Sequence, residues 1–234
     1  MTPSPPTKSI YESGEYLAQT KTWHEEDAPF KAKNILKMLK RHDIPLHSVA
    51  DVGCGTGAVL DIVAQELPID RAAGFDISPQ VIEIASRRAR PGLVFSQSNP
   101  FDSGETFDLA MALDVFEHVE DYLGFLKRMR VIGRRQLYHI PLDLSVQGLL
   151  RRSGILRARS QLGHLHYFTR DTAFETLAYT GHRVSDCFYT TLGYDQEMPA
   201  LRRLATLPRR LALSVAPDVG ATLLGGFSMM VLCE

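Results

Sequence analysis

The stretch Val49-Ala50-Asp51-Val52-Gly53-Cys54-Gly55-Thr56-Gly57 decides how the chain is read. A short apolar run reaches an acidic residue and then places glycine at three alternate positions; Ala58-Val59-Leu60-Asp61-Ile62-Val63-Ala64 follows with helical spacing. That pattern is strand, tight loop, helix. Glycine has no Cβ, so such a loop can take positive φ and let a ligand lie against bare backbone, while the helix start offers unpaired N–H groups. A small polar ligand is expected here. Gly53, Gly55 and Ala58 also satisfy the dinucleotide pattern G-x-G-x-x-G/A, with Asp76 at the separation of a ribose-binding acid, so the loop alone leaves the ligand open.

Outward from this stretch, strands are expected at 49–52, 71–76, 93–96, 107–113 and 134–140, with helices at 57–66, 79–89 and 119–130 between them. Strands alternating with helices imply a parallel sheet covered on both faces, whose ligands bind beyond the carboxyl ends of the strands. Ahead of the first strand, Pro29 opens a helix running to about Arg41, with Ala32, Ile35, Leu36 and Leu39 at helical spacing. A helix at 171–180 stops at Gly181, and β-rich runs at 183–191 and Phe227–Cys233 close the pattern.

Two details single out one class of ligand: Asp51 precedes the first glycine and Gly57 supplies the third, giving D-x-G-x-G-x-G. The segment resembles motif I of the class I S-adenosylmethionine (SAM)-dependent methyltransferases, and Phe107-Asp108-Leu109-Ala110-Met111-Ala112-Leu113-Asp114-Val115-Phe116-Glu117-His118-Val119 resembles their fourth-strand motif. The resemblance covers about residues 49–233, weakly over 142–165. It implies an α/β, Rossmann-like, seven-stranded and mostly parallel sheet with helices on both faces and an antiparallel C-terminal edge strand. It also implies an N-terminal helical lid (1–47) before a methyltransferase-like domain (48–234), with an acceptor-side insert at 142–168. SAM is the implied cofactor and a small molecule the implied methyl acceptor.

Carried over residue by residue, the resemblance places the cofactor on Asp51, Gly53, Gly55 and Gly57, with Asp76 at the ribose and its neighbour Ile77 also against the cofactor. Asp114 and Val115 approach the amino-acid end. Adenine falls to Ser98 and Asn99, a departure, since the family commonly has an aspartate where this chain has Asn99; the amide oxygen still accepts a hydrogen bond, without charge assistance. Trp23, with Tyr16, His24 and Lys31, is a lid candidate.

The cofactor brings an activated methyl group, so the protein must hold the acceptor in line and, for a hydroxyl, help remove its proton. His118, His164 and His166 are the candidates, because imidazole takes a proton near neutral pH. Histidines rather than acids in the presumed pocket favour oxygen slightly as the acceptor atom. Two histidines at alternate positions can face one side of an extended segment, but no third ligand is apparent beside His164 and His166, so no metal is expected. The alternatives are an NAD-dependent oxidoreductase on the same glycine loop, or a non-catalytic SAM-binding module.

With 26 Lys+Arg against 27 Asp+Glu, the net charge of −1 gives no general pull toward nucleic acid. Cys54, Cys187 and Cys233 are far apart and fit no metal or disulfide spacing, which suits a reduced, cytoplasmic setting. The first residues lack the pattern of a signal peptide, and the apolar run from Ala221 to Leu232 is too short to span a bilayer. Basic-apolar alternation at Leu201–Leu213 keeps a peripheral membrane contact or a lipid-like acceptor open, although a helix with a solvated face is the commoner cause.

Overall fold

Seven strands form one sheet in the order β3-β2-β1-β4-β5-β7-β6 in the computed structural model, which describes residues 25–151, 153–191, 211–212 and 214–234. The strands are β1 (Ser48–Val52), β2 (Arg71–Phe75), β3 (Leu93–Ser96), β4 (Phe107–Leu113), β5 (Gly133–Leu142), β6 (Val184–Thr190) and β7 (Phe227–Cys233). The first five run parallel, as their alternation with helices dictates. The C-terminal strand is antiparallel, as expected, and it lies one place inside the edge: β7 pairs antiparallel with both β5 and β6, leaving β6 outermost.

The helices are α1 (Ala28–Arg41), α2 (Ala58–Glu66), α3 (Pro79–Ser86), α4 (Tyr122–Ile132), α5 (Val146–Arg151), α6 (Ser153–Arg157), α7 (Arg170–Tyr179) and α8 (Pro217–Leu224). Pro29 in its first turn and Lys40 and Arg41 in its last suit the two ends of α1. Its buried Ala32, Ile35, Met38 and Leu39 join the core beside Leu60 and Val63 of α2, so this part of the N-terminal region is built into the main body. Thr169 caps α7 through a reciprocal box with Thr172.

The two faces of the sheet can be read from the period-2 pattern of its central strands. Ala110, Ala112, Tyr138, Ile140, Met229 and Val231 face the layer that holds Phe125, Leu126 and Met129 of α4 and Leu177 of α7. Leu109, Met111, Leu137, Met230 and Leu232 face α1 and α2. Both sides are therefore closed by helices, and β1 and β4, neighbours from which the chain departs in opposite directions, leave a crevice at their carboxyl ends.

The insert after β5 contains α5, α6 and a wide turn at Ala158–Leu162, and carries the exposed Leu149, Leu150 and Leu156. Most of the basic Leu201–Leu213 stretch lies outside the described residues, as do Tyr16, Trp23 and His24. Among the described residues no helix is long and apolar enough to cross a membrane.

Leu137 is fully buried on a strand paired on both sides. Leu137→Ala is expected to cost about 2–5 kcal/mol, read as a lower urea midpoint at unchanged slope.

Candidate active site

The three loop glycines all take positive φ: +80° at Gly53, +54° at Gly55 and +75° at Gly57. Only the first and third are crowded. A Cβ on Gly53 would meet Val115 Cγ2 at 2.6 Å, and one on Gly57 would meet the Phe95 ring at 2.5 Å. Gly55 is different, since nothing lies within 4 Å of where its Cβ would be. Its bare backbone opens into a cavity of about 890 Å³, near the upper end of the roughly 300–1,000 Å³ usual for small-molecule sites.

Around this cradle the sequence-predicted residues come together. Asp51, at the end of β1, is 1% exposed and its Oδ1 has no hydrogen-bond partner. Burial pushes its carboxyl up to about 7, against the opposing charge of Lys31 and with that of Asp76. Asp76 follows β2 and ties that strand to the loop: Oδ2 accepts from Gly55 N at 3.0 Å and Oδ1 from Ser78 N at 2.9 Å. Burial raises its pKa while these backbone donors oppose the shift. Ile77, Ser98 and Asn99 line the same cavity. Asn99 also caps the short turn Pro100–Asp102, accepting from Phe101 N at 3.2 Å and donating to Asp102 Oδ2 at 2.7 Å, so one of its lone pairs is already engaged.

Asp114, directly after β4, is held at φ +58°, a conformation unusual for any residue with a side chain and one found at functional sites. Its carboxylate binds Lys31 Nζ at 2.7 Å and His139 Nδ1 at 2.6 Å, and His139 Nε2 reaches Thr190 Oγ1 at 2.7 Å. Burial works against the Asp114 charge, but the charges of His139 and Lys31 outweigh it and hold the carboxyl well below the usual range. Lys31, also opposed by burial, is raised by the same pairing.

Beyond Asp114 the turn Phe116–His118 presents Glu117 and His118. The insert returns across it, with Leu165 N and His166 N both donating to the Glu117 carbonyl, at 2.7 and 3.0 Å. This brings His164 to His118, ring centroids 4.8 Å apart and edge to face. His164 Nδ1 lies 2.6 Å from Asp143 Oδ2. Burial and the neighbouring His164 lower the His118 pKa to about 4, and burial with the Asp114 charge drives Glu117 well above the ordinary carboxylate range.

The histidine pair 164/166 does not share one side. The run 163–169 forms no strand, so the alternation rule does not govern it. His166 instead packs on the Tyr122 ring at 4.2 Å, with Nε2 2.9 Å from the Val119 carbonyl, outside the cavity lining. In place of a second insert histidine the fold supplies Glu117. One ligand atom from each of Glu117, His118 and His164 falls within 4.8 Å of the others. His139 and Asp143 join the site without a motif in the sequence to mark them. A polar residue at or just past the carboxyl end of β5, beside Asp114 at the end of β4, was the available signal.

The pattern of the methyltransferase domain family matches residues 23–181, and the chain belongs to that family, among the class I SAM-dependent methyltransferases. Solved structures of low identity share the fold. Magnesium protoporphyrin IX methyltransferase of Synechocystis PCC 6803, with bound S-adenosylhomocysteine (SAH), is 14% identical at a TM-score of 0.62, over 97% of this chain and 96% of that one. The N-methyltransferase NodS of Bradyrhizobium japonicum WM9, in complex with SAH, is 16% identical at a TM-score of 0.61, over 98% of each chain. The cyclopropane synthase MmaA2 of Mycobacterium tuberculosis is 16% identical at a TM-score of 0.56, over 81% of this chain and 79% of that one. No curated protein matches this chain at the level of sequence. The cofactor is SAM, and the nicotinamide alternative falls away.

Two outcomes are expected. Gly55→Val should keep the fold at a cost of about 1–2 kcal/mol for the left-handed backbone and abolish SAH binding in calorimetry. Asp51 binds a proton in the folded chain up to about pH 7, against a reference carboxyl value of 3.8. The stability of the free protein should therefore fall as pH rises between those values and stay low above them. Asp51→Asn should remove this slope, gaining on the order of a few kcal/mol at pH 8, as measured by denaturant unfolding at pH 5 and pH 8.

Proposed function

We propose that this methyltransferase acts on an oxygen atom of a small-molecule acceptor, held at the end of the cavity formed by His118, His164 and Asp143. One observation carries the reading: a single cavity runs from the open backbone of Gly55 to the His118–His164 pair. The chain's own residues fit the cofactor. The unpartnered Asp51 Oδ1 and the bare Gly55 backbone suit a polar nucleoside, and the Asp76 carboxylate keeps acceptor capacity for ribose hydroxyls beyond the backbone bonds it already accepts. When bound, SAM supplies the methyl group on a sulfonium. Ile77, Ser98 and Asn99 then take the adenine side, and Asp114 and Val115 the amino-acid side. Lys31, fixed on Asp114, closes the cavity from α1.

At the other end, His118 and His164 meet the acceptor hydroxyl, where its proton has to leave. His166 acts at one remove: it braces the turn that carries His118 by packing on Tyr122 and binding the Val119 carbonyl. The insert at 142–168 supplies His164 and Leu162 to the wall and so selects the acceptor. A non-catalytic SAM-binding module would have no use for this chemistry.

The test is turnover with methyl-labelled SAM against a panel of hydroxyl- and amine-bearing metabolites. Label should appear in O-linked product, and His164→Ala should lower kcat by about 10²-fold with SAH affinity within about threefold of wild type. Label confined to nitrogen, or wild-type turnover by the variant, would overturn the reading.

A further inference from the structure

We propose that Glu117, His118 and His164 bind one divalent transition-metal ion at the acceptor end of the cavity, leaving coordination positions open to an acceptor oxygen. The inference rests on the reading of that end as the acceptor site. The three side chains already offer one ligand atom each within 4.8 Å of one another. An ion with ligands at about 2.0–2.2 Å holds them roughly 3–4 Å apart, so closing on it takes a side-chain adjustment of about an ångström.

Glu117 gives the independent reason. Its side chain is 0% exposed, lines the cavity, and neither carboxylate oxygen has a hydrogen-bond partner; His118 Nε2 stands 3.8 Å from Oε1, beyond hydrogen-bond reach. A buried carboxyl left without partners is costly, and coordination to a cation removes that cost. Two further carboxylates, Asp114 and Asp143, bear on Glu117 electrostatically, and the opposing ammonium of Lys31 is already paired with Asp114 at 2.7 Å. The site is short of positive charge.

The surroundings of His164 point the same way. Nδ1 lies 2.6 Å from Asp143 Oδ2, and a carboxylate there only accepts, so Nδ1 is the donating nitrogen and Nε2 is the one through which the neutral ring would ligate an ion. Carboxylate, histidine, metal is the usual arrangement by which a neighbour orients a ligating imidazole. The backbone bonds from Leu165 and His166 to Glu117 lock the insert to the β4 turn, so ligands distant in sequence share one rigid corner. Two imidazoles and one carboxylate suit zinc, manganese, iron, cobalt or nickel better than calcium or magnesium. An acceptor hydroxyl on such an ion gives up its proton to solvent more readily, the electron pair staying on oxygen, so the two histidines would act on the hydroxyl through the ion rather than by taking the proton themselves.

The experiment uses the full chain stripped with EDTA. Zn²⁺ and, separately, Mn²⁺ are titrated by calorimetry, Co²⁺ is followed by its visible absorption, and SAH is titrated into every sample. One ion per chain is expected, with Co²⁺ bands of an N/O-ligated site. Asp143→Asn should weaken metal binding about 10–100-fold, Glu117→Gln, nearly isosteric, by at least as much, and SAH affinity should stay within about threefold throughout. Metal binding absent from a wild type that binds SAH, or equal in wild type, Glu117→Gln and His164→Ala, would overturn the proposal. Metal bound as expected by a chain that fails to bind SAH would support the metal site and sink the functional reading instead.

Discussion

A single carboxylate, that of Asp114, holds three parts of the molecule in register. Lys31 reaches it from α1 and His139 from β5, while its own left-handed backbone turns the chain off the end of β4. Burying this charge is tolerable only because both partners are in place; removing one partner of such a group leaves an uncompensated charge, which costs several times what an exposed pair is worth. The turn that Asp114 sets also lays Val115 against the backbone of Gly53, close enough to exclude any side chain there. The glycine loop and the turn that carries Glu117 and His118 are thus positioned by one bend.

Much of this was legible in the sequence. The strands at 93–96 and 107–113 fall where their apolar runs end, and the glycine loop adopts the positive φ that its composition permits. Asp76 stands at the end of β2 as the resemblance placed it. The end of the cavity beyond Asp114 was legible only in part. Glu117 and His118 are neighbours in sequence, but His164 joins them through hydrogen bonds between an irregular run and a turn, and no periodicity encodes such a contact. The same irregularity sent His166 to Tyr122. His139 was hidden for a different reason: in a strand buried on both faces, a histidine is indistinguishable by pattern from a core residue satisfied by its neighbours.

The fold by itself says little about what is methylated. Structures as different in name as a protoporphyrin methyltransferase, an N-methyltransferase and a cyclopropane synthase share it at low identity. Function then lies in what is grafted beyond the strands. The insert after β5 is joined to the turn after β4 through the Glu117 carbonyl, which accepts from Leu165 N and His166 N, and the Val119 carbonyl, which lies against His166 Nε2.

The position of β7 carries a consequence for how the chain reaches this state. Among the described residues β6 pairs only with β7, and β7 follows it in sequence, so β6 stays an unsatisfied edge until the later strand slots in between it and β5. During synthesis on a ribosome the nascent sheet therefore presents an open seam along β5, apolar and hungry for backbone partners, until Phe227–Cys233 has emerged. Chaperone demand and losses to aggregation in cells should track how quickly that final insertion occurs rather than the stability of the finished molecule.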